Sequence, residues 1–70
     1  MELKAKNGTA EVRQNGRLVG YVTNENGNLR AGGPYFVRGA NLTYAEETAR
    51  FATIREAAEA LVATAADRGL

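Results

Sequence analysis

Hydrolytic or group-transfer chemistry needs a nucleophile beside a base, a pair of carboxylates held in a pocket, or a metal. Carboxylates are the only candidates here, because the sequence holds no cysteine and no histidine. Glu46 and Glu47 are adjacent, and Glu56 and Glu59 share one turn of an apolar-striped segment. Both pairs read as solvated charges and helix caps, not as an acid and its base. The glycines form no phosphate cradle either: Gly16, Gly20, Gly27, Gly32, Gly33 and Gly39 match neither the P-loop nor the dinucleotide-binding spacing ahead of a helix. The expectation is a protein that is not an enzyme, with no catalytic residue, no metal site, no cofactor and no small-molecule substrate.

Arginine is the second chemistry-bearing residue type. Arg13, Arg17, Arg30 and Arg38 lie on or beside β-prone runs, while most of the acids fall in the second half of the chain. Arg13 and Arg17 flank a turn at Asn15-Gly16, Arg30 is expected to approach from the next strand, and Asn24 and Tyr21 are nearby. This makes a nucleic-acid surface of Arg13, Gln14, Arg17, Asn28 and Arg30, with the arginines on phosphates and Gln14 or Asn28 near base edges. Against it, nine basic and eight acidic side chains leave a net charge of +1. No whole-molecule field draws a polyanion, and Glu11 and Glu25 dilute the local patch.

The elements that must position these residues follow from pattern. Residues 1–70 are expected to form one small domain, near the lower limit at which a chain builds its own core; such a domain buries only about 60% of the surface its unfolded chain exposes. With no disulfide or thiolate site, packing has to supply the stability. Hydrophobic residues at 44% and charged residues at 24% are ordinary globular values. The N-terminal MELKAKNGTAEV has no signal-peptide core and no long uncharged apolar run occurs, so a cytoplasmic protein without membrane association is expected.

Thr9–Gln14 and Arg17–Thr23 are β-prone runs joined by Asn15-Gly16, a pair suited to a type I′ hairpin turn. A two-residue loop would set Arg13 against Leu18, Val12 against Val19 and Ala10 against Tyr21. A further turn at Asn24 to Gly27 leads to a third strand within residues 28–38, containing Tyr35-Phe36-Val37. Thr48 to Thr53 is read as a fourth strand; the alternative is a short helix over Tyr44 to Arg50, started by the capping box Thr43-x-x-Glu46. The last element is a helix over about 54–67, capped by Thr53 and Glu56, with Ile54, Ala57, Ala58, Leu61, Val62 and Ala65 on one face and Gly69 as its stop. The fold class is α+β: a three- or four-stranded antiparallel sheet packed by one C-terminal helix.

In that register both faces of the hairpin carry apolar residues: Ala10, Val12, Val19 and Tyr21 on one, Leu18 and Val22 on the other. One helix covers one face. The expectation is that the second face or an edge strand is covered by another chain, a second copy or a host protein, unless the Leu42 to Glu47 segment folds over it. Tyr21, Tyr35, Phe36 and Tyr44 are the candidate interface residues, since aromatic side chains dominate interface energetics.

The junction Ala49-Arg50-Phe51-Ala52-Thr53-Ile54-Arg55-Glu56-Ala57 has a strand ending in Phe-x-Thr and a helix beginning x-x-Glu-Ala. With the upstream strands it resembles the amino-terminal arm-site-binding domain of tyrosine integrases, and it is similar to small accessory proteins of actinobacterial phages and mobile elements. The integrase resemblance implies a sheet that reads DNA against a supporting helix. The integrase pattern places aromatic and basic residues densely along the strands, where this chain has Val12, Val19 and Val22. The leading expectation is a non-enzymatic module acting through protein–protein contacts, as a homodimer or with a host protein, of the phage-accessory kind; the alternative is nucleic-acid binding by the sheet face.

Overall fold

Three Asn-Gly pairs punctuate the first part of the chain, and two of them make hairpin turns. Asn7 (φ 50°) with Gly8 (φ 84°) and Asn15 (φ 54°) with Gly16 (φ 78°) each place consecutive residues in the left-handed region. That is the type I′ geometry, whose twist matches the flanking strands of a hairpin. The computed structural model, which describes residues 1–39 and 41–69, accordingly begins with a meander of β1 (Glu2–Lys6), β2 (Thr9–Gln14) and β3 (Arg17–Asn24). β4 (Tyr35–Arg38) lies beyond β3, completing a four-stranded antiparallel sheet in the order β1-β2-β3-β4. Helices α1 (Tyr44–Thr48) and α2 (Ile54–Asp67) follow. The class is α+β as expected, and α2 has the bounds its periodicity implied.

The register of the central hairpin differs from the expected one. Gln14 pairs with Arg17 and Arg13 with Leu18, but Val12 then pairs with Gly20, Glu11 with Tyr21 and Ala10 with Val22. Val19 is therefore an extra residue, a β-bulge that shifts the alternation of everything after it by one place. Val22 joins Ala10 and Val12 on the helix-facing side, and Tyr21 moves to the side of Glu11. The bulge thus moves Val22 off the second face, which keeps Leu18, Tyr21 and Phe36 as its apolar residues. Gly20, facing Val12, sits beneath Leu61 of α2.

The core is the layer between this sheet face and α2. Ala10, Val12, Val22 and Val37 from the strands meet Ala57, Ala58 and Leu61 from the helix, with Val19, Leu29, Tyr35, Leu42, Phe51, Ile54 and Val62 packed around them. The alanines let the helix backbone approach the sheet, while Leu61, 2% exposed, supplies the bulk. Thr53 caps α2 by accepting the Glu56 N–H at 3.0 Å. The helix lies mainly over β3 and β4 and reaches β2 more thinly.

The β3–β4 connection is organised by one buried amide. Asn24 donates through Nδ2 to the carbonyls of Asn28 (2.6 Å) and Gly32 (2.7 Å), and its Oδ1 accepts the N–H groups of Asn26 (3.2 Å) and Asn28 (2.9 Å). Held this way, residues 29–31 form a 3-10 turn, so only Tyr35–Arg38 of the expected third-strand region joins the sheet.

Thr48 to Thr53 is not a fourth strand. Phe51 alone makes an antiparallel bridge, with Tyr35, and the short helix given as the alternative occupies Tyr44–Thr48. Its capping box forms completely: the Thr43 hydroxyl accepts the Glu46 N–H (3.2 Å) and the Glu46 carboxylate accepts the Thr43 N–H (2.9 Å). Two arginines fasten this segment. Arg38 donates to the Glu47 carbonyl (2.8 Å), and Arg68, at the end of α2, donates to the Asn41 carbonyl (2.7 Å) and to Glu46 Oε2 (2.5 Å). The strand that takes the vacant place in the sheet is β1, from a segment that sequence reading left unassigned.

Candidate interaction surface

A sheet of four strands in linear order has two outer edges, and the two are treated very differently. At β4, Tyr35 exchanges both backbone hydrogen bonds with Phe51 (2.9 Å each). The next outward carbonyl, that of Val37, accepts from the Arg38 guanidinium at 2.9 Å. Neighbouring α1 is tied to the same guanidinium through Glu47. Of the outward groups of β4 only the Val37 N–H is left without a partner among the described residues, so this edge is largely closed.

At β1 every residue is exposed. The two-residue turn makes Lys6 and Thr9 the hydrogen-bonded pair that closes the hairpin, and antiparallel alternation then directs the backbone of Lys4 and Glu2 toward β2 as well. The N–H and C=O groups of Leu3 and Ala5 consequently point away from the sheet. Leu3 pairs with Val12 and Ala5 with Ala10, so both side chains lie on the helix-facing side. Because α2 is centred on β3 and β4, Leu3 is left 41% exposed, next to Met1 at 44%. An open row of backbone donors and acceptors thus runs beside an apolar flank, the two components of a strand-addition site.

The opposite sheet face is polar and ion-paired. Glu11, only 5% exposed, is held between Lys6 (Nζ–Oε2 3.3 Å) and Arg13 (Nε–Oε1 3.2 Å). Hydrogen bonding from Lys6 outweighs burial and, with Arg13, keeps the Glu11 carboxyl below its ordinary range. Lys4 stands opposite Glu11 on β1, Tyr21 opposite it on β3, and Arg38 opposite Tyr21 on β4.

The structure disperses the expected site residues. Tyr21 and Phe36 are diagonal neighbours on this polar face, since Phe36 is two residues from Arg38, the partner of Tyr21. Tyr35 packs against the core and bridges to Phe51. Tyr44 lies on α1, 84% exposed. Of the nucleic-acid set, Arg13 is engaged by Glu11 and by the Gly16 carbonyl (3.4 Å), Arg17 is exposed, and Gln14 is half-buried at the Asn15-Gly16 end. Asn28 caps the 3-10 turn by accepting the Arg30 N–H (3.1 Å). That turn docks on the Asn7-Gly8 end of the sheet, through the Leu29 N–H on the Gly8 carbonyl (3.0 Å). Arg30 is therefore at the far end of the sheet from Arg13 and Arg17, separated by the length of β2, about 20 Å at roughly 3.3 Å per residue.

Sequence reasoning missed Leu3 and Ala5, although Asn7-Gly8 carried the same hairpin signal as Asn15-Gly16. Among the described residues no group of three or more His, Cys, Asp or Glu side chains could hold a metal, and no helix is long and apolar enough to cross a membrane. Comparison of the chain with protein-family models, curated proteins and solved structures finds no match.

Proposed function

We propose that this chain is a non-enzymatic protein-binding module that receives an extended segment of another chain along β1. The observation that carries the reading is the asymmetry of the two edges: β4 is largely closed by Phe51 and Arg38, while the outward backbone groups of Leu3 and Ala5 lie open beside an exposed leucine. Strand addition draws affinity from main-chain hydrogen bonds and specificity from alternate side chains. A role as an accessory protein of a phage or mobile element accords with such a module.

The alternative, nucleic-acid binding by the sheet, has less to support it. Its arginines stand at two ends of the sheet, and Arg13 is already engaged by a carboxylate. Salt-dependent titration of mixed-sequence duplex DNA is its test, with Arg17→Ala lowering the salt slope by about one unit if Arg17 contacts one phosphate.

The test of the leading reading is Ala5→Pro. Proline at an outward-facing edge position removes a donor that the fold does not use. Partner capture by the wild-type chain is expected to be lost with Ala5→Pro, whose circular dichroism and melting curve stay those of the parent. Equal capture by both proteins, or none by either, rejects the edge as a binding site.

A further inference from the structure

We infer that the occupant of the β1 edge is a second copy of this chain, paired antiparallel about a two-fold axis that passes between the two Leu3 residues. The inference rests on the reading of β1 as a binding edge and specifies its partner by the charge pattern of the strand.

A two-fold axis perpendicular to the sheet is the operation that joins two equivalent edges antiparallel while keeping the polar faces on one side. Residues of like face must then oppose one another, and the outward-pointing residues Leu3 and Ala5 must oppose outward-pointing residues. Five registers, centred on each residue from Glu2 to Lys6, satisfy this within the strand; those centred on Glu2 and on Lys6 set that charge against its own copy. Centring on Ala5 sets Lys4 against Lys6 of the copy twice. Centring on Lys4 pairs Glu2 with Lys6 of the copy twice, but it opposes the two Lys4 ammonium groups and draws on the Lys6 that already bridges Glu11. Centring on Leu3 opposes Glu2 to Lys4 of the copy, and Lys4 to Glu2 of the copy, on the polar face; Leu3 meets Leu3, and Ala5 meets Met1, on the apolar flank. The last register alone combines two opposite-charge pairs with no like-charge pair, and it covers the exposed Met1 and Leu3. It also leaves Lys6 free to keep its bridge to Glu11.

The contact is small. A five-residue edge with one leucine per chain buries less than the about 1,200 Å² of a stable interface, so the pair is reversible and its population depends on concentration.

The charge pattern provides the test. In Glu2→Lys the interface would set lysine against Lys4 twice, and in Lys4→Glu it would set glutamate against Glu2 twice. Each variant alone is expected to associate about tenfold or more weakly than the wild type in sedimentation equilibrium. Mixing the two variants restores opposite charges at both contacts, so the mixture is expected to form a heterodimer near wild-type affinity. The double variant Glu2→Lys/Lys4→Glu is expected to self-associate like the parent. The swaps also alter contacts with Arg13 and Glu11 inside each chain, but mixing two chains cannot relieve an intrachain repulsion. Failure of the mixture to associate overturns the register. A wild-type chain that stays monomeric up to about 1 mM overturns the second copy as occupant, and the Ala5→Pro capture comparison then decides the wider reading separately.

Discussion

Gly20 lies directly beneath Leu61: a Cβ built on the glycine would stand 2.9 Å from Leu61 Cδ2 and would also collide with the Arg38 carbonyl oxygen. The helix approaches the sheet at the one β3 position that carries no side chain. Gly20→Ala is expected to destabilise the fold by about 1–3 kcal/mol, the usual range for forcing an extra carbon into a packed layer. The midpoint of urea unfolding is the measurement, and an unchanged midpoint would show that the layer is loosely packed there.

Leu61 is the complementary probe. Leu61→Ala removes the largest helix side chain in the core and leaves a cavity above Gly20, so a loss of about 2–5 kcal/mol is expected. The double variant Gly20→Ala/Leu61→Ala tests whether the two residues share one space. The added methyl would partly fill the cavity, and the combined loss should fall short of the sum of the single losses.

Asn24 uses both amide hydrogens and its oxygen within the β3–β4 connection. Asn24→Asp would turn a carboxylate oxygen toward the two carbonyls that now accept from Nδ2. A loss of about 2 kcal/mol or more is expected, since two buried acceptors would be left unpaired. Faster amide exchange across residues 28–32 would place the damage in the connection.

Glu11 sets an acid response. Its folded carboxylate binds a proton more weakly than in the unfolded chain, where it titrates near its ordinary value of 4.5. Below about that pH the unfolded chain therefore takes up more protons, and the stability contributed by Glu11 is lost as pH falls through the lowered folded value. Above pH 4.5 the contribution is fully present. Glu46, lowered by Arg68 and by the Thr43 N–H, acts in the same direction. Glu11→Gln is expected to be less stable than the parent at pH 7 and to lose less on going to pH 3. Parallel pH curves for the two proteins would remove Glu11 as a source of the acid response.

Much of this architecture is legible in the sequence where one local signal is strong. Asn15-Gly16 specifies its turn, and the stripe from Ile54 to Ala65 specifies α2 and its buried face. The capping box at Thr43 announces α1, but it competed with the β propensity of Phe51 and its neighbours, of which a single bridge survives. β1 escaped notice because alanine, glutamate and lysine are weak strand formers. Pairing with β2 across Asn7-Gly8 overrides that weakness. The bulge at Val19 was illegible: alternation looks regular on either side of it, and only the buried face, shared by Val12, Gly20 and Val22, reveals the change of phase. The interface candidates are aromatic residues and include the exposed Tyr44, whereas Met1, Leu3 and Leu18, the other large apolar side chains exposed among the described residues, are not aromatic.

The largely closed β4 edge also bears on the stoichiometry of the proposed association. In the language of polymer chemistry, a sheet protein with two reactive edges is bifunctional and can propagate into fibres, whereas on the proposed reading this chain would be monofunctional. With β1 engaged as proposed, the bridge from Phe51 and the guanidinium of Arg38 would leave only the Val37 N–H open along β4 among the described residues, too little for a second strand to add. The proposed association through β1 would therefore favour a pair, with higher concentration adding pairs in preference to lengthening them.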